Sequence, residues 1–92
     1  IARALAMKPD EATVLDTVGW IYYKKNDAGK SAEYLERAVA KKPDDRVIRY
    51  HLGMAYHKAG KNVQAKEQLS RAVRGGTTFS GREEAEKTLA RL

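Results

Sequence analysis

The chain has 92 residues, 42% hydrophobic and 33% charged, which suits one small domain with a single continuous core. Cysteine is absent, which excludes disulfides and thiolate metal sites, and no apolar run approaches the roughly 20 residues a helix needs to span a bilayer. With 18 Lys and Arg against 12 Asp and Glu the net charge is +6, which favours acidic partners, although helical surfaces made soluble by Lys, Arg and Glu carry the same signature.

The sequence opens without an initiator Met or a signal-peptide pattern. Residues 1–7 read as the last two turns of a helix, closed by Lys8-Pro9-Asp10. Proline disfavours helical geometry in the residue before it and lacks the amide hydrogen a helix needs. Asp10 is then the expected N-cap of the next helix, with Glu11 in its first turn. That helix is predicted over residues 12–25. Leu15, Val18 and Tyr22 recur at spacings of three and four and make one apolar stripe. Gly19 interrupts the stripe at a cost of about 0.5–1 kcal/mol relative to Ala, so it calls for a steric reason: close approach of a second helix.

Asn26-Asp27-Ala28-Gly29 is expected to break the helix, since Asn tolerates the left-handed conformation that ends helices. A second helix follows over residues 30–41, with Ala32, Leu35, Ala38 and Val39 on one face and Ser31 where the paired helix packs. Lys42-Pro43-Asp44-Asp45 repeats the earlier stop. A third helix is predicted over residues 46–59 with Ile48, Leu52, Ala55 and Tyr56 inward. Gly60 ends it. A fourth spans 63–74 with Ala65, Leu69, Ala72 and Val73 inward. Gly75-Gly76-Thr77-Thr78 then replaces the proline stop with a looser joint. The last helix is predicted from Ser80, where Ser80 and Glu83 have the spacing of a capping box. Its apolar stripe is Ala85, Leu89 and Leu92, and its other side is charged.

These elements repeat. Residues 46–79 laid over 12–45 are identical at eight places: Gly19/Gly53, Tyr22/Tyr56, Lys24/Lys58, Glu33/Glu67, Leu35/Leu69, Arg37/Arg71, Ala38/Ala72 and Val39/Val73. Residues 1–11 match 35–45 at Arg3, Ala4, Ala6, Lys8, Pro9 and Asp10. A fixed period of 34 residues marks a stacked array of helix pairs. Because the chain starts in mid-repeat, an excerpt of a longer protein is expected.

The pattern resembles the tetratricopeptide repeat. Leu15, Val18, Gly19 and Tyr22 stand at the fourth, seventh, eighth and eleventh places of that repeat, with Ser31, Leu35, Ala38 and Pro43 at later ones. Leu52, Gly53, Tyr56, Ala65, Leu69 and Ala72 do the same in the second unit. The departures are Arg49, at a place usually bulky and apolar, and Thr77 in place of the closing proline. The phrasing of both first helices also looks like that of multi-repeat bacterial proteins. The resemblance implies an all-α, right-handed superhelical solenoid of tandem helix–turn–helix units. Residues 1–11 would be the second helix of a truncated repeat, 12–45 and 46–79 full repeats, and 80–92 a C-terminal capping helix with a polar outer face.

The resemblance also implies a concave groove, lined by the first helix of each pair, that holds a segment of a protein or peptide partner. Carried over by position, the groove residues are Thr13, Asp16, Trp20, Tyr23 and Lys24 in the first repeat. In the second they are Val47, Tyr50, Met54, His57 and Lys58. Aromatics and a Met with Lys at the rim suit a peptide with apolar anchors and some acidic character. The plainer alternative is that Trp20 and Met54 only pack neighbouring first helices together. The carboxylate clamp known in the family is not expected, because its places hold Asp16, Thr17, Trp20, Tyr50 and His51.

No catalytic residues, cofactor or metal site are predicted. His51 and His57 are six apart and lie on different faces of one helix, which is not the i, i+4 chelating arrangement. A second reading, of lower weight, is single-stranded nucleic-acid binding by Lys24, Lys25, Arg46, Arg49, His57, Lys58 and Lys61 with Tyr23 and Tyr50 interleaved. Asp16, Asp44 and Asp45 interrupt that stripe. A third is a homodimer formed over Ile1, Ala4 and Leu5, whose covering helix is absent from the chain.

Overall fold

The structure, a computed structural model, describes residues 1, 3 and 11–92. The expected closing turns of a leading helix, the Lys8-Pro9-Asp10 stop and the Asp10 cap lie outside the described residues. So do Ala4 and Leu5, on which the expected dimer rests. Among the described residues there are five α-helices and no strand: α1 (Ala12–Lys24), α2 (Ala28–Lys41), α3 (Arg46–Lys58), α4 (Asn62–Val73) and α5 (Arg82–Ala90). A single 3-10 turn, Arg74–Gly76, follows α4.

The helices pack mainly in chain order, as a helical repeat solenoid does. α1 pairs with α2, α3 with α4, the pairs meet through α2 and α3, and α5 lies against α4. α1 also touches α3, and α3 touches α5. The result measures 38 × 25 × 18 Å.

Each pair closes on a glycine. A Cβ added to Gly19 would lie 2.6 Å from Leu35 Cγ, and one added to Gly53 would lie 2.6 Å from Leu69 Cγ. Both distances are far inside van der Waals contact, so the two helices sit where only glycine fits. Leu35 and Leu69 are wholly buried. The steric reason inferred for the mid-helix glycines holds in both repeats, and it outweighs their poor helix propensity.

The expected core is largely present. Leu15, Val18, Ala32, Leu35, Ala38, Ile48, Leu52, Ala55, Tyr56, Ala65, Leu69, Ala72 and Ala85 are buried. Tyr22, Val39, Val73, Leu89 and Leu92 are half-buried. Tyr56 donates its hydroxyl to the Glu36 carboxylate and so ties α3 to α2.

Six boundary expectations are corrected. α1 and α3 each end one residue earlier than expected, at Lys24 and Lys58. Glu11 is not in the first turn of α1 but at its N-cap position, with no side-chain cap bond. α2 starts at Ala28, because Asp27 Oδ1 accepts from Lys30 N at 3.1 Å and caps the helix two residues early. Only Asn26, at φ 64°, and Asp27 break the chain there. α4 runs from Asn62 to Val73, one residue earlier than expected at each end. The Ser80–Glu83 capping box does not form: α5 starts at Arg82 behind Gly81, whose φ is 97°, and no side chain caps it. Arg82 Nη1 instead donates to Val73 O and Thr77 O, both at 2.9 Å, and this fixes the entry to α5.

Gly53→Ala is expected to destabilise the chain by about 1–3 kcal/mol, because overpacking exceeds the gain in propensity. Urea unfolding followed by circular dichroism measures it. A Gly53→Ala/Leu69→Ala double variant should cost less than the sum of the two single variants. A stabilised Gly53→Ala protein would refute the close-contact account.

Candidate functional site

α1 and α3 lie side by side and present one shared face. On it Trp20 stacks on Tyr23 of its own helix, with centroids 4.3 Å apart and planes 2° from parallel. Its other neighbour is His51 of α3, at 3.9 Å and 22°. Tyr50 meets Trp20 at 5.8 Å and Phe79 at 6.2 Å, both tilted, which extends the aromatic series toward α5. One turn of helix brings Trp20 and Tyr23 together, and the helix contact brings in the rest.

Polar contacts lock the two first helices. His51 Nδ1 meets Asp16 Oδ1 at 2.7 Å, with both side chains mostly covered. Lys58 Nζ donates to Tyr23 O at 3.1 Å and Asn26 Oδ1 at 3.0 Å, and lies 4.0 Å above the Tyr23 ring. A cation held over an aromatic face gains roughly 0.5–1 kcal/mol at exposed sites.

The expected groove residues divide into three groups. Thr13, Lys24 and Lys58 are exposed, and Asp16, Trp20, Tyr23, Val47 and His57 are half-buried. Tyr50 and Met54 are not on an open surface: they retain 8% and 6% exposure. They join Leu69, Ala72 and Ala85 in the core that α5 completes. Gly81 lies so close to the Tyr50 ring that any Cβ there would run into it. The plainer packing role weighed for Met54 is thus its observed one, and Tyr50 shares it. Trp20 packs neighbouring first helices together while keeping part of its surface open.

The expected basic stripe is partly consumed by the fold. Arg46 Nη1 donates to Ala72 O at 2.8 Å, and Arg49 Nε donates to Pro43 O at 2.6 Å. Arg49 Nη1 donates to Gln68 Oε1 at 2.8 Å, so this Arg replaces the usual apolar residue by bracing α3 against α4. Burial, and after it the charge of Arg71, pushes the Arg49 guanidinium below its usual range.

The sequence reading missed the Asp16–His51 pair and the Lys58 staple. Both join residues 35 apart, one repeat plus one. That offset was available as a signal once the period was known. It also missed Phe79 and Glu84, which come from the α5 side of the face.

Burial, with Glu84 second, raises the ionisation range of both Tyr23 and Tyr50. Burial also raises that of Tyr56, followed by its bond to Glu36. Among the described residues no three His, Asp or Glu side chains gather as a metal site, and no helix is long and apolar enough to cross a membrane.

A family model described as tetratricopeptide repeat matches residues 22–76, more than half of the chain. Comparison with curated proteins gives no match.

The three raised phenols give a pH dependence. Below the ordinary tyrosine pKa of 10.0 both folded and unfolded phenols are neutral and stability is complete. Above it the unfolded chain loses protons first, so stability falls as pH climbs from 10.0 through the folded values. Melting temperatures taken from about pH 9 to about pH 11.5 should fall, and Tyr56→Phe should flatten the decline. A flat profile for the native chain would contradict the assignment.

Proposed function

The chain belongs to the tetratricopeptide repeat family, a family of protein-interaction modules, and on that premise we propose that it is a scaffold without chemistry of its own that holds a segment of a protein partner on the face shared by α1 and α3. The observation that carries this reading is the half-open stack of Tyr23, Trp20 and His51. A rigid aromatic surface, pre-ordered by Asp16 and Lys58, binds an apolar side chain without first losing rotamer freedom. Exposed Lys24 and Thr13 flank it and give a polar rim. Tyr50 and Met54 act from behind, holding α3 and α5 in place. Within this reading no cofactor is required and nucleic acid is not the partner, since Asp16 and Asp44 interrupt the run of cations and Lys58 is committed to Tyr23 O and Asn26 Oδ1.

Capture from the lysate of the source cell tests the proposal. The native chain should retain a discrete protein. Trp20→Ala, confirmed folded by circular dichroism, should lose it, and the exposed Lys24→Glu should weaken it several-fold. Capture of nuclease-sensitive material, or equal capture by all three chains, would overturn the reading.

A further inference from the structure

Where α3 begins and α4 ends, the surface carries a depression of about 370 Å³ lined by Pro43, Asp44, Arg46, Arg49, Arg71 and Arg74. It is set apart from the aromatic stack, whose polar staple lies at the other end of α3. Four guanidiniums face one carboxylate in the lining, and a second carboxylate, Glu67, stands at the rim 3.4 Å from Arg71.

Two of the four cations are held by neutral oxygens. Arg46 donates to the carbonyls of Ala72 and, more weakly at 3.4 Å, Arg71, and Arg49 donates to Pro43 O and Gln68 Oε1. Neutral acceptors fix a guanidinium without cancelling its charge. Among the described residues neither Nη2 has a hydrogen-bond partner, so each guanidinium keeps a nitrogen able to donate to an anion. Gly75, in the left-handed conformation at φ 83°, passes close to Arg46, where a Cβ would lie 3.5 Å from Nη2.

The fold needs one cation at the carbonyl end of α4, and Arg46 supplies it. Arg71 and Arg74 are exposed; the first makes a single solvent-facing pair with Glu67. Such a pair contributes little to stability. These two arginines therefore add positive charge to a cleft that is already positive.

We propose that this depression is a docking site for an acidic segment of a protein partner, whose Asp or Glu carboxylates are received by the four guanidiniums. Arginine's planar fork matches a carboxylate through two parallel hydrogen bonds. The fit is one of charge: the excess of cations over carboxylates accepts one or two acidic side chains. A phosphate backbone fits worse, because Asp44 and Glu67 break the run of cations it would follow. The proposal rests on the protein-interaction reading for the kind of partner, but not on the aromatic face.

Fluorescence anisotropy of the whole chain with fluorescein-labelled hexaglutamate tests it, with hexaglutamine as the neutral probe. Hexaglutamate should bind and hexaglutamine should not. The Arg71→Ala/Arg74→Ala variant, which removes only exposed side chains, should bind roughly tenfold more weakly while keeping its circular dichroism spectrum. Lys87→Glu, an exposed charge reversal on α5 away from the depression, should leave the affinity nearly unchanged. No binding of hexaglutamate, or equal binding by the double variant, would overturn the site. Loss in Lys24→Glu alone would also overturn it, placing acid recognition on the aromatic face and leaving the scaffold reading intact. A single-stranded oligonucleotide that binds more tightly through the same two arginines would replace the peptide with nucleic acid.

Discussion

Two contacts set the geometry of everything else: the Leu35 side chain against the bare backbone of Gly19, and Leu69 against Gly53. They fix how near the helices of a pair can come. At this separation Leu15, Val18 and Ala38 in one unit, and Leu52, Ala55 and Ala72 in the other, are sealed from water. A wider spacing would leave cavities along both stripes, and cavities in apolar cores are costly. The position of the first helices, and hence of the face they share, follows from the depth at which the second helices sit.

The period and the apolar spacing made most of the fold legible. Glycine, leucine and small residues recur in register, and a repeat supplies its own control because each inference can be checked in the other unit. What was not legible depended on partners distant in sequence. Ser80 and Glu83 have the spacing of a capping box, yet Arg82 reaches back to Val73 and Thr77 and starts α5 from a left-handed glycine instead. Asp27 is the exception: its carboxylate begins a helix through Lys30 N, three residues on, a local signal that was read as part of a break. Local rules name the residues able to cap; tertiary contacts choose among them.

The candidate face shows the same division. Position in the repeat put Trp20, Tyr23 and Lys24 on a partly open surface. It did not anticipate that the helix after the second repeat would cover Tyr50 and Met54, because no property of residues 50 and 54 alone states what lies beyond them. Aromatic side chains serve equally well in a core and in a recognition surface. Only the neighbouring element decides. The four arginines, all in the second repeat, are similarly split between the start of α3 and the end of α4, and the packing of that pair brings them together.

The polar staples between α1 and α3 have a further consequence. Asp16 with His51, and Tyr23 and Asn26 with Lys58, all cross from one unit to the next. In a stacked array, stability is a sum of terms for each unit and terms for each boundary. Charged and aromatic groups at this boundary add an orientation-dependent contribution to its term, which couples the two units and favours their melting together. The angle between them is held stiffly, and a partner lying across both would meet a ruler of set curvature, able to measure the spacing of its anchor points.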